Sequence, residues 1–290
     1  MLADLEAALS HRSVRVRRVL IVAAGFALSA AALAALAALA VALWPTAARQ
    51  PSHEEPEAET GWVSLFNGRD FTGWETFLQG GRPGEDPSGV FSIVEKDASP
   101  VIRVSGTRHG ALTSEGEYEN YHLRLEYRWE TPKGAHNSGL NYHAVGPHGQ
   151  GFLGMMKAHE MEIYPPNTGG YFRTGDHRLC DLAELRDGRL ESTGPAGMRA
   201  RVLCNCEHQL GLWNQVELVC VGDTALHIVN SFVVLAIARS RQPTATAEAP
   251  LTRGRLQLQS YMGAIYFRRI EIRPVTGIPK RFQRMVAAVR

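Results

Sequence analysis

Tyr121-His122-Leu123-Arg124-Leu125-Glu126-Tyr127-Arg128-Trp129-Glu130 alternates without a break. Odd positions are aromatic or leucine, and even positions are polar or charged. A period of two describes a strand with one buried face. A slip of one residue would bury the charges, so the register is strongly specified. The pattern recurs further along the chain. Val216, Leu218 and Cys220 alternate around Glu217, and Leu256 and Leu258 alternate with Gln257 and Gln259. In Ile265–Ile272 the apolar parity slips near Arg268-Arg269, which predicts a β-bulge. Gly, Pro, Asn and Asp separate these runs, and no segment beyond Gly61 carries a long helical period. Many short strands with turn signals imply an all-β antiparallel sandwich or barrel. Arg178–Cys206 is the least regular stretch and reads as a long loop.

Two further strands carry chemistry. Asn137-Ser138-Gly139-Leu140-Asn141-Tyr142-His143 places Asn141 and His143 on one face and Leu140 and Tyr142 on the other. His159-Glu160-Met161-Glu162-Ile163 sends Glu160 and Glu162 one way and Met161 and Ile163 the other. Two carboxylates and an imidazole on neighbouring strands suggest a site. His159 has core-facing parity and reads as structural. His136 and His148 fall in loops, and Asn137 has the character of a turn residue.

The chain has 31 basic and 29 acidic residues and a net charge of +2. That balance carries no basic stripe and gives no sign of a nucleic-acid partner. The charge is unevenly placed. Arg12, Arg15, Arg17 and Arg18 precede an uncharged run from Val19 to Trp44, long enough to cross a bilayer as one helix. The run has no polar face, which argues against a buried soluble helix. Its length favours an uncleaved anchor, while Thr46-Ala47-Ala48 supplies the small residues of the alternative, a cleaved signal. The preceding arginines put residues 1–18 in the cytoplasm and everything beyond the run on the extracytoplasmic, periplasmic side. Residues 45–60, rich in Pro, Glu and Ala, read as an acidic linker. Residues 61–274 form the folded domain, and 275–290 a short basic tail. Cys180, Cys204, Cys206 and Cys220 lack paired zinc spacing and read as structural bridges or buried thiols.

Gly61-Trp62-Val63-Ser64-Leu65-Phe66-Asn67-Gly68-Arg69-Asp70-Phe71-Thr72-Gly73-Trp74 resembles the entry motif of the 3-keto-disaccharide hydrolase domain family. Tyr118–Leu123 leading into Asn137–Leu140 is similar to its central strand pair. Val145-Gly146-Pro147, Asn167–Phe172, Leu212-Trp213-Asn214, Val229-Asn230, Leu258–Ser260 and Phe267–Ile270 follow in the family's order. The resemblance implies a concanavalin-like jelly-roll β-sandwich, exported, acting on glycosides oxidised at C3. Two positions depart from it. Tyr261-Met262 replaces a small or polar pair, and Leu212 stands where an acidic residue usually precedes the tryptophan.

A C3 ketone acidifies the C2 hydrogen, so a base there permits elimination of the C1 leaving group. Such a site needs a base, an acid near the glycosidic oxygen, and a divalent metal ion or paired donors for the enediolate. On the residues alone, Glu160 is a solvated strand carboxylate paired with an arginine. The resemblance turns that reading, since Glu160 matches the family's acidic strand position, and makes it the expected base. His143 is the second catalytic candidate, with acid, metal ligand and sugar contact all open. Glu162, Asn141 and Tyr261 are the expected substrate-binding residues. No metal-ligand set is defined. Two other readings remain. Glu160 and Glu162, roughly 5–7 Å apart on one strand, fit an ordinary retaining glycosidase. A non-catalytic carbohydrate-binding module would use the same fold.

Overall fold

A computed structural model describes residues 61–175, 179–186 and 189–285. The expected membrane run and linker lie outside them. Among the described residues no helix is long and apolar enough to cross a membrane.

The first strands in chain order are β1 (Val63–Ser64), β2 (Trp74–Leu78), β3 (Phe91–Lys96), β4 (Ser99–Val104), β5 (Gly110–Tyr118) and β6 (Tyr121–Trp129). The middle of the chain gives β7 (Ser138–Val145), β8 (Lys157–Ile163), β9 (Tyr171–Arg173), β10 (Leu179–Arg186), β11 (Arg189–Pro195) and β12 (Arg199–Ala200). The last are β13 (Asn214–Val221), β14 (Thr224–Val229), β15 (Phe232–Pro243), β16 (Glu248–Pro250), β17 (Gly254–Ser260) and β18 (Ile265–Pro274), followed by helix α1 (Lys280–Met285). They build two antiparallel sheets. The larger runs β11-β10-β15-β14-β13-β6-β18-β4-β3, with β1 on β18 and β16 on β15. The smaller runs β12-β9-β8-β7-β17-β5-β2.

The β6 alternation decides the packing. Tyr121, Leu123, Leu125, Tyr127 and Trp129 are all buried, while Arg124, Glu126 and Arg128 keep partial exposure. Opposite them, Leu140 and Tyr142 of β7, Met161 and Ile163 of β8, and Leu258 of β17 complete the core between the sheets. Two tight hairpins hold both turn residues at positive φ, with Asp or Asn in the first place. Asp97-Ala98 joins β3 to β4 at φ 51° and 56°, and Asn230-Ser231 joins β14 to β15 at 47° and 72°. The bulge at Arg268-Arg269 is present, with Arg269 at φ 50° and the β18–β6 register shifting before Glu271.

The stretch 178–206 is not one irregular loop. It holds the β10–β11 hairpin, which forms an edge of the larger sheet, and β12, which forms an edge of the smaller one. β10 carries apolar residues at both parities and β11 and β12 carry few, so periodicity gave no signal. All four cysteines are free thiols.

Candidate active site

The outer face of the smaller sheet collects polar side chains in register. Arg199 of β12 lies opposite Phe172 of β9, and Phe172 opposite Glu160 of β8. Glu160 lies opposite Asn141 of β7, and Asn141 opposite Gln257 of β17. Gln257 in turn meets Thr113 of β5, which meets Glu75 of β2. One row, polar except for Phe172, therefore crosses the whole sheet. A neighbouring row contains Glu162 and Gln259, two residues along the same strands.

Glu160 sits deepest in this arrangement. Its side chain lies over Gly139, where an added Cβ would stand 2.3 Å from Oε1. Glycine is thus required at Gly139 for the carboxyl to lie flat on the sheet. Oε2 has no hydrogen-bond partner. Burial pushes the Glu160 pKa well above the usual carboxylate range, and Glu162 adds to the shift. Arg199 and Gln259 oppose it. Glu162, equally buried, is held differently. Arg199 pairs with it through both Nε and Nη2, and Asn167 donates Nδ2–H to Oε2 at 2.8 Å. The Arg199 guanidinium also lies 5.2 Å from the Tyr164 ring and 6.0 Å from the Phe172 ring.

These groups line a pocket of about 150 Å³. Glu160, Glu162, Arg199 and Gln259 form its polar side, and Phe152, Phe172 and Tyr261 its aromatic walls, with Asn137 at the rim. Phe152 meets Phe172 at 5.4 Å and Tyr261 at 6.1 Å between ring centroids. Met262, the second residue of the departing pair, fixes Asn137 by two backbone hydrogen bonds of 2.9 Å. Small amphipathic pockets of this kind suit a hydroxyl-bearing ring with one apolar face.

Not every expected residue arrives there. His143 does not. The register of β7 against β8 shifts between Tyr142 and Val145, and His143 adopts φ 49°. The bulge turns its ring to the interior beside Tyr142, edge-on to Tyr121 at 5.9 Å. Ala144 takes the outward position against Met156 and Ala158. Burial pushes the His143 pKa down to about 4. Asn141 shares the face of Glu160 but lies under Met155, outside the pocket lining. His159 bonds Tyr171 and Ser240 inside the sandwich. His136 bonds the Thr131 carbonyl at 2.7 Å, and His148 bonds Glu75 at 3.1 Å.

Arg199, Gln259, Phe152 and Phe172 were not expected in the site. The alternation of Leu256 and Leu258 already put Gln257 and Gln259 on one polar face, which is a usable signal. Arg199 had none, because it comes from a two-residue strand at the sheet edge.

The donor set does not favour a metal centre. Among the described residues no three His, Cys, Asp or Glu side chains gather. Within the pocket Arg199 and Asn167 occupy Glu162, which leaves the Glu160 carboxyl and the Gln259 oxygen. Two such groups fall short of the oxygen shell that a hard cation takes.

A family model described as a 3-keto-alpha-glucoside-1,2-lyase-like domain matches residues 61–273. The chain belongs to this family. The lyase-like domain also resembles solved structures at low identity. One is a presumed glycosyl hydrolase from Parabacteroides distasonis, at 17% identity and TM-score 0.46, covering 74% of this chain and 99% of that one. A second presumed glycosyl hydrolase from the same organism has 18% identity and TM-score 0.46, covering 74% and 94%. The carbohydrate-binding module CBM66 of Bacillus subtilis aligns at 8% identity and TM-score 0.41, covering 69% and 95%. No curated protein matches the chain.

Proposed function

We propose that this lyase-like domain, folded as a concanavalin-like jelly roll, cleaves glycosidic bonds of sugars oxidised at C3. The observation that carries the reading is Glu160, a buried carboxyl with one free oxygen at the floor of an aromatic-walled pocket. The ionised carboxylate takes the C2 hydrogen as a proton. The C–H electron pair forms the C2=C3 enolate, with charge on the C3 oxygen. The enolate then expels the C1 oxygen and leaves a C1=C2 bond conjugated to the ketone. The proton held by Glu160 passes to the departing oxygen, which restores the base. Water added across C1=C2 completes hydrolysis. A carboxyl whose pKa is raised by burial is a stronger base when ionised and keeps its proton to higher pH when protonated, so one residue serves both steps. Arg199 is the nearest fixed cation for the developing enolate, and Glu162 and Asn167 hold its guanidinium in place. Phe152, Phe172 and Tyr261 pack the sugar's apolar face. Glu162 is tied twice, which disfavours its use as the free nucleophile of a retaining glycosidase.

We further read the domain as exported and tethered through residues 19–44. The test of the chemistry is a 3-keto disaccharide against its unoxidised parent. Turnover of the keto form alone is expected, and Glu160→Gln should lower it by about 10²–10⁴-fold with the fold retained. Turnover of both sugars, or full activity in Glu160→Gln, refutes the assignment. Binding without turnover would make the domain a carbohydrate-binding module.

A further inference from the structure

The polar row continues beyond the pocket, beneath the segment 146–156 that joins β7 to β8. Asn141, Gln257 and Thr113 are fully buried there. Gln257 donates to Thr113 Oγ1 at 2.9 Å and accepts from Asn141 Nδ2 and the Met156 amide, each at 3.2 Å. The remaining bonds are poor. Asn141 Nδ2 and Gln259 Nε2 both point at the Met155 sulfur, at 3.0 and 3.3 Å. A thioether is a weak acceptor. Asn141 Oδ1 and Gln259 Oε1 have no partner at all. Buried amide oxygens left unpaired cost about 1–3 kcal/mol each. A polar layer that served only packing would not be left in this state.

The covering segment is built as a separate piece. Its internal backbone hydrogen bonds run from Gly149 N to Gly154 O and from Gly151 N to Met155 O. Gly146, Gly149 and Gly154 take positive φ, as does Leu153. It rests on the sheet through side chains. His148 stacks on Phe77 at 4.6 Å and bonds Glu75, Phe152 leans on Phe172 and Tyr261, and Met155 fills the centre. Phe152 is a wall of the pocket, and Gln259 both lines the pocket and touches Met155. The covered row and the pocket are therefore continuous. Glu160 and Gln257 are two strands apart, roughly 10 Å at ordinary strand spacing, a distance that places a second sugar ring beside the first.

We propose that the segment 146–156 is a flap closed over a second saccharide subsite, and that Met155 holds the place of a neutral, hydroxyl-rich pyranose ring. The ring is the leaving-group sugar of a disaccharide, so this inference rests on the function proposed above. Vicinal hydroxyls donate to Asn141 Oδ1 and Gln259 Oε1, the two bare oxygens, and replace the Met155 sulfur as acceptor for the two amide nitrogens. The side chains that face Met155, Asn141 and Gln259, are neutral amides, which fits a neutral ligand.

The experiment uses the full chain labelled with ¹³C at the methionine methyls, the Met155 signal being assigned by its loss in Met155→Leu. The probes are a 3-keto disaccharide and the corresponding methyl 3-keto-glycoside. Both should bind, and only the disaccharide should move the Met155 methyl. Met155→Ala should tighten disaccharide binding by about threefold to tenfold and leave the methyl glycoside unchanged. The methyl shift in the unmodified chain is decisive even where that variant fails to fold. A Met155 signal unmoved at saturating disaccharide, or an equal change in affinity for both probes, overturns the subsite. Turnover with an unmoved Met155 removes the subsite and leaves the catalytic reading standing. A moved Met155 with binding and no turnover keeps the subsite and removes the catalytic reading. Failure of both probes to bind overturns both.

Discussion

Gly139→Ala tests whether the flat seating of Glu160 matters. A Cβ at this strand position would stand 2.3 Å from Glu160 Oε1 and 2.8 Å from both Cδ and Cγ. Ordinary contacts begin near 3.4 Å, so the carboxyl must move by about 1 Å. It has little room, because Glu160 is buried beside Asn141. Overpacking of this kind costs about 1–3 kcal/mol. For a domain of this size that is a fall in Tm of roughly 2–4 °C per kcal/mol. A 1 Å displacement of a catalytic group costs about 10²-fold in rate. Turnover of a 3-keto disaccharide should therefore fall about 10²-fold, with a modest loss of Tm. The partner variant separates the two effects. Glu160→Ala removes the clash, so in the double variant Gly139→Ala should cost almost no stability while activity stays abolished. Their coupling in thermal unfolding should be about 1–3 kcal/mol. Additive effects on Tm, or full turnover in Gly139→Ala, would refute the argument that Glu160 lies on the glycine and works from there.

Acid should weaken the domain between about pH 6.5 and pH 4. His143 and His227 are both pushed down to about 4 by burial, from an unfolded value near 6.5. Their neutral forms stabilise the fold above pH 6.5, and that stability is lost as the unfolded chain takes up protons that the native state refuses. Each contributes about 3 kcal/mol to the loss, read as a falling urea midpoint. Glu160 runs the other way, since its raised pKa costs stability at neutral pH and none below the unfolded carboxylate value. A midpoint that stays constant from pH 7 to pH 4 would contradict the buried neutral histidines. For the N-terminal run, a reporter fused after Arg290 should be active only in an extracytoplasmic format, and cytoplasmic activity would sink the exported topology.

The sequence by itself determined the sandwich. Alternation in β6, β13 and β17 reports burial one residue at a time, and burial on one face is what a sheet core requires. It also put Glu160 and Glu162 on one face of their strand and Gln257 and Gln259 on one face of theirs, because strand parity is a local property. The slip at Arg268-Arg269 was visible for the same reason. Tertiary structure decided the rest. The bulge at His143 reverses parity within a strand whose pattern looks regular, since polar His143 and apolar Ala144 exchange faces without breaking any local preference. Arg199 reaches Glu162 only because β12 pairs with β9 at the sheet edge, a contact 37 residues away in sequence. The covering of Asn141 by Met155 likewise depends on how a glycine-rich connection folds back over the sheet, which no periodicity within the connection encodes. Strand pairing brings such residues together by long-range register, and a single chain of letters records register only where both partners carry a strong pattern.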